Sequence, residues 1–141
     1  MKRACFARTK NSVFWAGQLA KLGDTSCLTV LYEAIEKGDS DSVRTALDTI
    51  PQFFLYTEEA DHEAFLAFLA KSLRSQDDGI RWRAMSATSL AGAKCRHHDT
   101  EILKLFEAAA ANETHDRYKE WANSYYQKWK RTAAQSSSTP D

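Results

Sequence analysis

Apolar residues recur at helical spacing along nearly the whole chain: Leu28, Leu31, Tyr32 and Ile35 form one stripe, and Val43, Ala46, Leu47 and Ile50 form the next. Recurrence at every third and fourth position marks helices that bury one face. Between these stripes, Lys37-Gly38-Asp39 offers a glycine for the left-handed turn that closes a helix and an aspartate that caps the following one. The two helices therefore form a hairpin. Pro51 ends the third helix, the apolar connector Phe53-Phe54-Leu55-Tyr56 follows, and Thr57 is placed to cap a fourth. That helix carries Glu58, Glu59, Asp61 and Glu63 in its first turns and Lys71 and Arg74 in its last, charges that match the helix dipole at both ends. Asp77 and Asp78 open a fifth helix that Gly92 closes, Asp99 caps a sixth, and Thr114 starts a seventh. The expected helices run near 3–22, 25–37, 40–50, 58–74, 78–91, 99–111 and 114–131, ahead of a Ser-rich tail over 132–141 that is expected to be mobile.

The chain has 141 residues, 43% of them apolar and 11% aromatic, which suffices for one hydrophobic core and is too greasy for a disordered protein. Five Gly and two Pro leave few turn signals for a hairpin-rich sheet. An all-α fold in one domain over residues 1–131 is the consequence.

A repeat gives this helical series an order. Asp41-Ser42-Val43-Arg44 and Asp78-Gly79-Ile80-Arg81 are the same pattern 37 residues apart, each at a helix start. Arg8 lies 36 residues before Arg44, and Arg117, preceded by Asp116, lies 36 after Arg81. The segment Ser75-Gln76-Asp77-Asp78-Gly79-Ile80-Arg81-Trp82-Arg83-Ala84, continued by Ala87 and Leu90, resembles the first helix of a HEAT-type (armadillo-like) repeat. Asp99 through Leu105, with Ile102, is similar to the second. The resemblance is clearest over residues 76–126, weaker over 39–75 and positional over 1–37. It departs from the family pattern where Tyr118, Glu120 and Trp121 replace small residues, and where no proline marks the first helix of the unit. What it implies is a small α-solenoid of about seven helices stacked as antiparallel hairpins, with a binding surface in place of an active site.

Nineteen basic and nineteen acidic residues cancel overall but not locally: residues 1–22 sum to +5, residues 23–63 to −8 and the remainder to +3. No global charge draws the chain to nucleic acid or lipid. No stretch approaches the length that crosses a bilayer. Three cysteines, Cys5, Cys27 and Cys95, are an odd and widely spaced set, which fits a reducing cytoplasm better than a disulfide framework. The acid-free amino-terminal segment also resembles a mitochondrial transit peptide.

Chemistry is sparse. Cys95-Arg96-His97-His98, with His115, is the one cluster of metal-ligand type, but no second paired motif completes a tetrahedral site, and the segment reads as an exposed interhelical loop. No nucleophile elbow or phosphate-cradling loop appears, so neither catalytic residues nor a cofactor or metal is expected. His62, beside Phe65 and Leu69, reads as a core or boundary histidine. Partner binding has three candidate sources. Glu33, Glu36, Glu59 and Glu63 fall on neighbouring helices and form either an acidic strip or an ordinary solvated face. Trp82 projects opposite the Ile80 stripe, so it either packs on an adjoining repeat or anchors a partner. Tyr118, Trp121, Tyr125 and Trp129, with Lys128, Lys130 and Arg131, either seal the end of the stack or present Trp129 to a ligand. The expected function is non-enzymatic protein binding, with the acids of an inhibitor or immunity protein covering the basic groove of a toxin or nuclease-like target. Nucleic-acid binding by the basic aromatic end is the alternative.

Ile80, Ala84, Ala87 and Ala91 share one stripe whose small side chains admit a close neighbour, with Ile102, Leu105, Phe106 and Ala109 expected to cover it. Ala87→Leu should therefore overpack that contact and cost about 1–3 kcal/mol; an unchanged thermal unfolding transition would show that the stripe is not buried.

Overall fold

The computed structural model describes residues 28–94 and 98–138, with Trp15, Gln18, Leu19 and Leu22 ahead of them. Most of the expected first helix, with Arg8, Cys5 and Cys27, lies outside the described residues, as do Cys95, Arg96, His97 and the end of the tail. The described chain is all-helical: α1 (Leu28–Lys37), α2 (Ser40–Phe53), α3 (Glu59–Leu73), α4 (Asp78–Lys94), α5 (Asp99–Asn112) and α6 (Asp116–Ser138), with no strand among the described residues. None of these helices is long and apolar enough to cross a membrane.

Local chemistry accounts for most of the helix ends. Gly38 takes φ +69°, the left-handed conformation that Gly adopts without a Cβ clash, and turns α1 into α2. Asp39 then caps α2, accepting the Ser42 N–H at 2.9 Å, and that bond holds its carboxyl below the ordinary value. Asp77 does the same for α4, accepting the Gly79 and Ile80 N–H groups at 2.8 and 3.3 Å.

Several expected boundaries are corrected, among them that of α4, which runs on through Gly92 to Lys94. Helix α2 runs through Pro51 to Phe53, because the apolar Phe53 and Phe54 are drawn into the core and outweigh the one hydrogen bond that a proline in the last turn removes. Thr57 does not cap α3; its hydroxyl turns back to the Phe53 carbonyl of α2 at 2.6 Å, and Glu58 occupies the cap position without a side-chain bond. Helix α6 continues to Ser138 past the expected end near 131, since Ala133 and Ala134 favour helix and Pro140 is the first breaker it meets. Asp99 and Thr114 also yield their expected places: His98 precedes α5, and α6 opens at Asp116.

Packing joins α1 to α2, α3 to α4 and α5 to α6, and α2 also lies along α4. Lesser contacts link α4 to α6 and α3 to α5. On α4 the expected stripe is buried at Ile80, Ala84, Ala87 and Ala91, and Met85, Thr88 and Gly92 widen it, so this helix has neighbours on several sides. Leu31, Leu47, Ile50, Phe65, Leu69, Ile102 and Phe106 fill the rest of one continuous core.

Charged clasps tie successive helix starts together. Arg44, in the first turn of α2, reaches Asp77 in front of α4 at 3.5 Å. Arg81, in the first turn of α4, reaches Glu113 in front of α6 with two bonds of 2.9 Å. The two arginines thus meet acids in corresponding places. They differ in depth: the Arg44–Asp77 pair is about two-fifths exposed and contributes little, whereas the side chains of Arg81 and Glu113 are 12% and 4% exposed. Arg81 also donates to the Ser75 carbonyl at 2.8 Å and pairs with Asp78, and Glu113 accepts the His115 N–H at 3.0 Å. Burial alone would raise the Glu113 carboxyl, but Arg81 and the backbone N–H groups of His115 and Thr114 outweigh it and hold the group below its ordinary value.

Glu113→Ala should cost about 1–3 kcal/mol near neutral pH, because it leaves the mostly buried Arg81 with only the Ser75 carbonyl and the exposed Asp78. A carboxyl held below its unfolded value of 4.5 supplies stability that is present above that value and lost as pH falls through the native one. Denaturant unfolding at several pH values should therefore show the gap between wild type and variant closing on acidification; a gap that stays constant would contradict the buried ion pair.

Candidate functional site

The aromatic stripe of α6 divides along its length. Trp129 is 3% exposed and Ala122 is fully buried, while Tyr125 stacks on Phe106 of α5 with centroids 4.9 Å apart. Trp121, which falls about 80° round the helix from Trp129, sits at the edge of the stripe and is 38% exposed. The expectation that Trp129 meets a partner is thus corrected. Its ring lies over Gly92 of α4, where the missing side chain leaves room for an indole, and it seals the α4–α6 contact.

Trp82 packs on a ring of α6 and is also left partly open to solvent. It stands opposite the buried stripe of α4 and is 38% exposed, and its ring lies 6.3 Å from Trp121 at an angle of 46°. The pair belongs to a row of rings: His115 stacks on Tyr118 at 4.1 Å, Tyr118 meets Trp121 at 5.3 Å, and Trp121 meets Trp82. At the far end the Arg83 guanidinium lies 5.6 Å over the Trp82 ring, and Asp48 of α2 holds that guanidinium at 2.9 and 3.0 Å. Between α4 and α6 the row opens a cleft of about 400 Å³ lined by Trp82, Ser86, Trp121, Ser124, Tyr125 and Lys128. Lys128 makes no ion pair among the described residues. Leu90, 52% exposed, extends the apolar face two turns further along α4.

The acidic candidates are placed but not assembled into a built site. Glu33 and Glu36 are exposed on α1 and Glu63 on α3; Glu59 opens α3, and its side chain is outside the described set. The contact between these helices uses other groups: the Tyr32 phenol donates to the Asp61 carboxylate, and its ring stacks on Phe65 at 5.9 Å. Burial first, and Asp61 second, push the Tyr32 phenol well above its ordinary value.

A larger cavity of about 730 Å³ lies between the carboxyl-terminal halves of α3 and α5, walled by Leu73, Leu105 and Ala109 and floored by Arg81 and Glu113. Its two central charges satisfy each other, and Arg74 adds an exposed cation to the wall. His62, expected as a core histidine, is buried. His98, expected in an exposed loop, is buried too: its Nε2 lies 2.9 Å from His62 Nδ1, and Phe54 packs on both rings. A ring nitrogen that donates and one that accepts make this a hydrogen-bonded pair. Among the described residues no group of three or more His, Cys, Asp or Glu is arranged to hold a metal ion.

The apposition of Trp82 and Trp121 has a partial signal in the sequence. A 36-residue step from Trp82 falls on Tyr118, one turn before Trp121. His62 and His98 also lie one 36-residue step apart, but nothing else in the sequence marks them as a pair, and the packing of α3 on α5 brings them together. Comparison with protein-family models, curated proteins and solved structures finds no match to this chain.

A Cβ on Gly92 would stand 2.7 and 2.8 Å from Trp129 ring carbons and 3.3 Å from Ile102 Cγ1. Helix propensity alone makes Gly92→Ala a gain of about 1 kcal/mol, whereas overpacking costs about 1–3 kcal/mol. The variant should be net destabilised in denaturant unfolding, with a changed near-ultraviolet tryptophan signal; a more stable variant would mean that Trp129 is not seated there.

Proposed function

We propose that this chain is a non-enzymatic helical-repeat module that binds a protein partner, with the α4–α6 cleft as its anchor point. The observation that carries the reading is the exposed, pre-ordered pair of Trp82 and Trp121. Leaving two indoles in water forfeits burial that folding would otherwise gain, and Trp dominates binding energy at protein interfaces because it offers a large rigid surface at low entropic cost. Tyr118 on one side and Arg83 on the other hold these rings in place before any partner arrives.

The corresponding clasps of Arg44 on Asp77 and Arg81 on Glu113, and the packing of α2 along α4 with α4 touching α6, support a HEAT-like stack of helix pairs behind the cleft. In such a stack each added pair widens a surface without adding catalytic groups. His62 and His98 are engaged with each other inside the core, which fits a scaffold better than an acid–base site. Nucleic-acid binding drew on Trp129, now a core residue, and so has less to stand on than protein binding. The exposed Glu33, Glu36 and Glu63 would steer a basic partner toward the module, the feature that fits an inhibitor or immunity protein.

Affinity capture from a host lysate with the full chain, repeated with Trp82→Ala and Trp121→Ala, tests the proposal. A protein should be retained by the wild type and survive nuclease treatment, and each variant should weaken the purified complex about 30-fold, the size of one interface hot spot, while keeping the wild-type melting curve. Retention that nuclease abolishes, or that both variants leave intact, would refute it.

A further inference from the structure

The cleft has a shape and a charge that narrow what fits it. Its two indoles meet at 46° and leave a tapered notch, not the parallel slot that a flat base enters. One face of Trp82 is already taken by Arg83, and Asp48 neutralises that guanidinium. Arg83 is therefore a brace for the ring, not a free cation. Lys128, on the cleft wall, has no carboxylate partner among the described residues and supplies a single positive point. One lysine beside a greasy notch suits one carboxylate, whereas a nucleic-acid strand needs a row of cations to follow its phosphates. The Ser86 and Ser124 hydroxyls on the same walls offer bonds of the kind that peptide N–H and C=O groups make.

Resting on the protein-binding reading above, we infer that this cleft takes an acidic linear segment of the partner, with one bulky apolar side chain lodged between Trp82 and Trp121 and one carboxylate on Lys128. Helix geometry sets the spacing. Trp121, Ser124 or Tyr125, and Lys128 follow one another along one face of α6, and seven residues of helix span about 10 Å. An extended peptide covers that distance in about three residues. The recognised pattern is accordingly an aromatic or leucine anchor with Asp or Glu about three positions away.

A positional-scanning array of nine-residue synthetic peptides probed with the full wild-type chain tests this, alongside a labelled oligothymidylate as the nucleic-acid probe. The array should select an aromatic residue or Leu together with Asp or Glu near that spacing. For the selected peptide, replacing the acid by Gln should weaken binding about fivefold in fluorescence anisotropy, the scale of one partly exposed ion pair. Lys128→Glu, a substitution on an exposed helix position that should leave the melting curve unchanged, should shift selection from acidic to basic peptides. If both proteins select apolar peptides with no preference of charge, the inference fails and the protein-binding reading stands. If no peptide is selected, or if the oligothymidylate binds and Trp82→Ala abolishes it, both fail.

Discussion

Close approach at α4 is the constraint on which the rest of the structure depends. Ala84, Ala87, Ala91 and Gly92 keep the buried side of this helix shallow, so that α2, α3, α5 and α6 all pack against it. Its contact with α6 follows from the smallest of these residues. Gly92 has no side chain, Trp129 fills the space, and this seating together with the stack of Tyr125 on Phe106 of α5 sets which face of α6 turns inward. That orientation carries Trp121 to the helix edge, where it meets Trp82. The exposed cleft is thus a consequence of a packing decision made two turns away, in the core.

Charge plays a second and more selective part. Among the described residues, the pairs Arg44–Asp77, Arg83–Asp48 and Arg81–Glu113, which link helices apart in sequence, are unequal because water reaches them unequally. The first two are screened and help mainly to set register between α2 and α4. The third is enclosed, has backbone donors on its carboxylate, and fixes the turn that launches α6 against the start of α4. Since α6 carries half of the cleft, this buried pair positions the candidate site without touching it.

The cleft itself combines a rigid apolar notch with Lys128, which has no ion-pair partner among the described residues. Rigid rings reduce the entropy that association must spend, and a single charge discriminates among apolar partners more than it adds affinity. Glu33 and Glu36 on α1 and Glu63 on α3 are exposed away from the cleft in sequence.

The helices and the caps at Gly38, Asp39 and Asp77 were legible in the chain, because they depend on residues within one turn of each other. The matching placement of Arg44 and Arg81 near helix starts was legible, although the acids they meet were not. Thr57 and Pro51 misled because a distant demand, the burial of Phe53 and Phe54, overrode a local preference. The division of the α6 aromatics was not visible: their spacing put Trp121 and Trp129 in one stripe, and the side facing the core was decided across the interface, where Trp129 meets Gly92. The amino-acid order alone thus determined an all-helical chain, its turn chemistry and its small-residue stripe, all short-range properties. Tertiary packing alone decided which tryptophan is hidden, which two meet and which histidines pair, because those outcomes require residues more than thirty positions apart to share a few ångströms.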